Sequence, residues 1–520
     1  MDNDDYYAGR GLAMALVLAI SGGCSPSVPD MSAPDASAPN DPGGNAGPTA
    51  AELTCPPLAM PPAAGMVFVD ATASSGDGSL ASPFSTVAQA LASAGPGGVI
   101  YVAAGTYKES LTIATDNLTL YGGFATGFGS RSDGCATILE APDPSQTVLV
   151  GAADVTRFTL DGVTVQNGAR GLSVDLDGTV GATYSIASSV FAGNGTEAAA
   201  GGAMFLGNVN ATISHTAFRD NKADKGAAIA HGGDNATITI EASVFERNIG
   251  YSDHGGALYL TPKSATISRN TFRGNEIGKG TGYGWGGAVI VYKAGAAPVS
   301  ANFAYNVFTD NLAGVGAAVF IDDGASATMS HDLLYRNRAI RENGIARGAA
   351  IYVDGLDGPE TGSHLVADHL TVANNNLGED GLVSPSRGGG AYLETYSSAT
   401  FTNSIFWNNG DDALFGIPMT SFTVGYSIVP STCGATTACA IGTGVFEPAD
   451  IGFVDEAGGD YHEKSTAGHF HAGTWVADGV TSPAVDAADP TAGATGEPAP
   501  NGARVNLGAF GGTAEASKSP

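Results

Sequence analysis

Residues 216–248 read TAFRDNKADKGAAIAHGGDNATITIEASVFERN, and residues 249–275 read IGYSDHGGALYLTPKSATISRNTFRGN. Both stretches end on one signature, an aromatic residue three positions before an asparagine: Phe218–Asn221, Phe245–Asn248 and Phe272–Asn275. Outward from there it recurs as Thr164–Asn167, Phe191–Asn194, Phe308–Asn311, Leu334–Asn337, Val372–Asn375 and Phe406–Asn409. Subtracting successive asparagine numbers gives 27, 27, 27, 27, 36, 26, 38 and 34, the mark of an internal repeat whose later copies carry insertions. A second mark follows each middle unit: Gly201–Met204, Gly226–Ile229, Gly255–Leu258, Gly286–Val289, Gly316–Val319, Gly348–Ile351 and Gly389–Tyr392. The spacing varies most between the asparagine and this glycine, so the variable loop lies there.

Within a unit, short runs such as GGALYL, SATIS and NTFRGN alternate apolar and polar residues. Three such strands cannot bury an apolar face alone. Coiled so that each strand stacks on its counterpart one turn later, they form a parallel ladder with about 4.8 Å between rungs. The period therefore predicts an all-β fold, a right-handed parallel β-helix. In it the Phe column fills the interior, and the Asn column at the strand end bonds amide to amide, where Asp would stack like charges.

The composition agrees. The chain has 520 residues, 75 of them Gly, with 43% apolar and 14% charged residues, which suits neither a helical bundle nor a disordered chain. A net charge of −29 excludes nucleic acid and anionic lipid as partners.

The ends speak to location. Gly11–Gly23 (GLAMALVLAISGG) is too short to span a bilayer and reads as a signal-peptide core. The small residues before Cys24 resemble a bacterial lipobox, which implies lipidation at Cys24 and an outer-membrane lipoprotein facing the exterior. A secretory signal cleaved elsewhere is the alternative. Residues 1–24 are thus a signal segment, and residues 25–65, rich in Pro, Ala and Ser, a disordered stalk. Residues 66–160 should hold the N-terminal cap and first rungs, residues 161–410 the repeats, and residues 411–520 the last rungs and a C-terminal cap. Cys55, Cys135, Cys433 and Cys439 form an even set in an oxidising compartment and read as disulfides. Of three connectivities, Cys55 with Cys135 and Cys433 with Cys439 is the expected one.

The paired marks FxxN and GGA[ILV] resemble the repeats of polymorphic outer-membrane proteins, β-helical surface adhesins, and the resemblance implies a non-catalytic adhesin. The segments SPFSTVAQALASAGPGGVIYVAAGTYKE and VTSPAVDAADP with NGARVNLGAFGG resemble the termini of a wider group of bacterial right-handed β-helix proteins. The first places a capping helix near Phe84 to Ala94. The second is expected to close the last rung. That group includes polysaccharide lyases and hydrolases, which makes an enzyme acting on an acidic polysaccharide the rival reading.

Candidate ligand-binding residues cluster in the loops before the glycine mark. Lys225, His254 and Trp285 each precede their motif glycine in consecutive units, Asp224 and Asp253 lie one position earlier, and Tyr251 and Tyr283 share the same loops. Aromatic faces stack on sugar rings, while carboxylates and cations hold hydroxyls, uronates or Ca²⁺. In the non-catalytic reading Tyr251, Tyr283 and Trp285 bind glycan. In the rival reading Lys225 or His254 is the base, with Asp224 and Asp253 as the acidic pair. No resident metal is expected, Ca²⁺ being the one cofactor such loops could take. Partners are an extracellular glycan or surface protein, with membrane contact only through the lipid. His331 and His369, at equivalent repeat positions beside Asp332 and Asp368, could form a metal pair, and His469 and His471 alternate on a strand without a third ligand nearby. Gly282–Gly287 spells GxGxxG with no helix after it, so no dinucleotide site is inferred.

Overall fold

The computed structural model describes residues 55–520 except 57, 62–65, 75, 177–180, 253, 279–283, 341–345, 357, 359–360, 379–386, 411 and 430–437. Cys24, the stalk to residue 54, Asp253, Tyr283 and Cys433 therefore lie outside the described residues. Each rung has three sides. In one unit these are Met204–Gly207, Asn210–Ser214 and Ala217–Arg219. Every repeat strand pairs in parallel with its counterpart one turn on, Met204 with Ile229, Ala211 with Ile238 and Phe218 with Phe245. The first two sides make one 23-stranded sheet and the third an 11-stranded sheet. Among the described residues there is one α-helix, Val87–Ser93, capped by Thr86. Its Val87, Ala90 and Leu91 enter the core, and Glu109 accepts the N–H groups of Val87 and Ala88. Cys55 and Cys135 form a disulfide. Cys439 is also disulfide-bonded.

On the third side, alternation turns the middle residue of each strand inward. Phe191, Phe218, Phe245, Phe272 and Phe308 stack there with centroids 5.5, 4.8, 4.7 and 4.8 Å apart. Three residues on, each asparagine is buried and binds the next. Asn221 Nδ2 donates to Asn248 Oδ1 at 2.9 Å, and Asn248 Nδ2 donates to Asn275 Oδ1 at 2.9 Å and to the Phe218 carbonyl at 3.0 Å. The ladder continues to Asn409.

The register corrects two alignments. Val165, not Thr164, pairs with Phe191, so Gly168 stands in the asparagine column and donates its N–H to Asn194. The first interval is therefore 191 − 165 = 26. Asn167 belongs instead to a column of left-handed residues with Asp220, Arg247 and Asp310, at φ 58, 54, 52 and 57°. Likewise Ala391 pairs with Ile351, so the last glycine mark begins at Gly388 rather than Gly389. Geometry explains that mark: Gly255 has φ 69°, and a Cβ on Gly256 would lie 2.0 Å from the Gly287 carbonyl.

A second buried polar ladder runs two residues before each Phe. Thr216 N–H donates to Ser243 Oγ, Ser243 N–H to Asn270 Oδ1, Asn270 Nδ2 to Asn306 Oδ1, and Asn306 Nδ2 to Asp332 Oδ1. Leu370 interrupts it there, before it resumes at Ser404 and Ser427, and Asp332 Oδ2 is buried without a partner. Burial pushes the Asp332 carboxyl up to about 7, against the opposing bonds from Asn306. Because the folded value lies above the unfolded one, the unfolded chain gains by ionising as pH rises from about 4 to about 7. Stability should fall across that window. Asp332→Asn should remove this slope and raise the melting temperature at pH 7, as thermal unfolding from pH 4 to 8 will show.

Outside the Phe stack, charges alternate by rung. Glu246 meets Arg273 at 3.0 Å and Arg219 at 3.9 Å, while Arg247 meets Asp220 at 2.9 Å and Arg336 meets Asp310 at 3.2 Å. Glu246→Arg would place three Arg in one column and should lower stability by about 1 kcal/mol, read as a drop in melting temperature.

The C-terminal segment follows the last paired strand of the helix, Ala438–Ile441. It forms two antiparallel hairpins, Phe453–Asp455 with Asp460–Glu463 and His469–His471 with Thr474–Val476. It then lies along the third side, burying Val505, Leu507 and Phe510 with Val307, Leu333, Tyr335 and Ile405. The central outward residues Arg219, Glu246 and Arg273 of the earlier rungs give way to Thr309, Tyr335, Ala373 and Trp407 in the later ones, and the segment packs there.

Candidate functional site

The outward residues of the first side form a column of large apolar groups beside the turn that precedes it. The turn residues pair in parallel, His254 with Trp285, Trp285 with Val315, Val315 with Arg347 and Arg347 with Arg387. Of the predicted residues the structure brings Lys225, His254 and Trp285 together. The His254 ring lies 4.8 Å from Trp285 and 5.5 Å from Tyr292, and the Lys225 ammonium sits 5.3 Å over Tyr259. All five side chains are half-exposed. Asp224 and Tyr251 have other partners: the Tyr251 N–H is bonded to the Asp224 carbonyl, and burial and Glu197 raise the Tyr251 hydroxyl.

Tyr259 and Tyr292 carry no loop signature in the sequence, because they sit on strands. The alternation within YLTPK and VIVY was the available signal. Beside them lies a cavity of about 180 Å³ lined in part by Asp234, Thr261, Lys263 and Gly295. Thr261 is two residues beyond Tyr259 and shares its outward face.

Further along the same side the column becomes buried. Tyr352, Tyr392 and Phe415 stack at 5.3 Å each, with Arg347 5.2 Å over Tyr392 and Arg387 4.7 Å over Phe415. Two residues on, the outward column turns from Tyr292 to carboxylates: Asp322, Asp354 and Glu394. This is an acidic cluster that the reading of the loops did not contain. Glu394 accepts from Arg347 Nη1 at 2.5 Å and from the Tyr352 hydroxyl. Burial, then the Glu394 charge, pushes Asp354 up to about 8. Burial and the neighbouring Asp323 and Asp354 carry Asp322 well above the usual carboxylate range. The cluster arises because the first-side strands Val319–Asp322, Ile351–Asp354 and Ala391–Glu394 all end on an acid.

The histidine candidates do not form metal sites. His331 and His369 stack face to face at 5.0 Å and 1°, presenting π faces rather than lone pairs to each other. Burial, then the adjacent His369, lowers His331 to about 4. His469 Nδ1 is held by Asp478 at 2.7 Å and His471 Nδ1 lies 3.6 Å from Asp460. Among the described residues the one compact group of potential ligands is Cys55, Asp133 and Cys135, whose sulfurs are consumed in the disulfide.

A family described as right handed beta helix region matches residues 148–358. No curated protein matches the chain. Among solved structures the chain is similar to XylC in complex with xylose, at 11% identity over 74% of this chain and 84% of that one, with a TM-score of 0.38. It is also similar to a pectate lyase, at 12% identity over 86% and 96% with a TM-score of 0.34. For a pectin methylesterase from carrot the figures are 14%, 64%, 82% and 0.24. At these scores the likenesses carry no information on activity. The family match and the in-register parallel rungs together give the fold: the chain is an all-β, right-handed parallel β-helix.

Proposed function

We propose that this chain is an exported, lipid-anchored surface protein that binds extracellular glycan on the first side of its helix and does not turn it over. One observation carries the reading. Tyr259, Trp285 and Tyr292 are half-buried and gathered around His254 on one face, and Thr261, two residues beyond Tyr259, lines a cavity with Lys263 and Asp234. Aromatic faces supply stacking surface for sugar rings, and the flanking polar groups supply hydroxyl partners. The resemblance of the repeats to those of polymorphic outer-membrane adhesins points the same way, as does the signal segment ending at Cys24. Ca²⁺ is an optional co-ligand in this reading, bridging acidic sugars to Asp234.

A second reading, glycoside hydrolysis, rests on Asp354 and Glu394. They face out from adjacent rungs, one held protonated near neutral pH and the other ion-paired, the split that an acid and its partner carboxylate need.

The test incubates the protein with uronic-acid and neutral polysaccharides, with and without Ca²⁺, measuring binding, unsaturated products and new reducing ends. Binding without turnover, weakened about tenfold by Trp285→Ala, is the expected result. Turnover lost in Asp354→Asn or Glu394→Gln would establish the hydrolase instead. Unsaturated products lost in Lys225→Ala or His254→Ala would establish a lyase.

A further inference from the structure

The second side of the helix differs from the other two. Its strands pair in register from Thr183–Ala187 to Ser421–Gly425 without a bulge. Outward residues therefore fall into straight columns. The central column runs over nine rungs from Ser185 to Thr423 and is Ser, Thr or Asn at all but Val366. The column beside it, from Thr183 to Ser421, is Ser, Thr or Asn at all but His364. Not one Asp, Glu, Lys or Arg occupies either column, in a chain of net charge −29. The fold does not impose this, because the outward column of the third side reads Arg219, Glu246, Arg273. The hydroxyls of Thr212, Thr239, Thr266 and Thr423 make no hydrogen bond to the described residues, and Thr212 and Thr423 are exposed.

We infer that this face binds crystalline water, through a rigid two-dimensional array of hydroxyls and methyls. A soluble ligand gains little here. Exchanging one hydroxyl–water bond for another nets about 1 kcal/mol or less, and these two columns add a single ring, His364, and no carboxylate, Lys or Arg. What it has is periodicity. Hydroxyl-bearing positions repeat about every 4.8 Å along the axis and about every 6.6 Å across it. The β-branched threonine keeps its hydroxyl and methyl in few rotamers. In tetrahedrally ordered water, oxygens that share a neighbour lie about 4.5 Å apart for O–H···O lengths of about 2.75 Å. The difference of about 0.3 Å per rung stays small over blocks of three or four rungs. Liquid water satisfies each hydroxyl singly, whereas a lattice engages many at once, and only that multiplicity separates ice from liquid. A charge would orient nearby water on its own terms and break the array, which gives its exclusion from these two columns a reason; Glu241 and Asp368 stand in the column at the strand ends.

The test freezes dilute, fluorescently labelled protein slowly onto a cold probe and measures its partition between ice and liquid, with growth of ice grains on annealing as a second readout. Wild type should enrich in ice and hold grains small. Thr239→Lys with Thr266→Lys, two outward-facing changes on neighbouring rungs, should reduce both signals to those of an unrelated globular protein while leaving the melting temperature near wild type. Gln166→Lys on the third side should retain them. Wild-type exclusion from ice, or partition unchanged in the double variant, would overturn the inference. So would adsorption to powdered crystalline cellulose without ice enrichment, which would assign the face to a polysaccharide surface.

Discussion

Asn248→Leu is expected to lower the unfolding free energy by about 3–5 kcal/mol, with denaturant unfolding as the measurement. Asn248 holds five hydrogen bonds of the ladder. Its Oδ1 accepts from the N–H and Nδ2 of Asn221, its Nδ2 donates to Asn275 Oδ1 and the Phe218 carbonyl, and its N–H donates to Asn275 Oδ1. Leucine keeps the volume and the last of these. It strands one of the two N–H bonds of the Asn221 amide, whose other stays on the Phe191 carbonyl, and it removes the side-chain partners of the Asn221 N–H and the Phe218 carbonyl; each stranded buried group costs about 1–3 kcal/mol. Asn248→Asp would restore the acceptor but place a buried charge there, so it should rescue at low pH only. A Leu variant as stable as wild type would remove the ladder from any account of the fold.

Phe245→Ala should cost about 3–5 kcal/mol, as large-to-small changes in packed cores do. Its ring lies 4.8 Å from Phe218 and 4.7 Å from Phe272, within 8° of parallel to both, and is fully buried. The backbone on either side is fixed by parallel pairing with Phe218 and Phe272, so the rungs cannot close over the gap. Phe245→Leu should cost less than half as much. Equal losses for Ala and Leu would mean that the stack contributes through shape alone and that the void is filled by relaxation.

These two columns were legible because each needs one residue type at one spacing. Phe218, Phe245 and Phe272, with Asn221, Asn248 and Asn275, announce themselves in the string of letters. The second ladder was harder, since Thr216, Ser243, Asn270, Asn306 and Asp332 share only the ability to accept a backbone N–H. Short signatures also slide. Thr164–Asn167 fits the spacing, yet Asn167 was chosen by its left-handed φ and not by the ladder, a role that Asp220 and Arg247 fill elsewhere. In the candidate site, Lys225, His254 and Trp285 were found because they mark the turn before a conspicuous glycine. Tyr259, Tyr292 and the carboxylates of Asp322, Asp354 and Glu394 were not, because a strand residue declares its neighbours only once the register is known. The C-terminal segment was misplaced for a similar reason: nothing local in NGARVNLGAFGG says which face of a solenoid it will cover.

The measurement that tests the proposed binding face most directly is oxidative footprinting of aromatic side chains, with and without the best glycan from the panel. The account predicts that Tyr259, Trp285 and Tyr292 gain protection together, while Trp407 and Trp475, on other faces, react as before. Protection at Trp407 or Trp475 with none at Trp285 would contradict it, and would move the ligand off the first side of the helix.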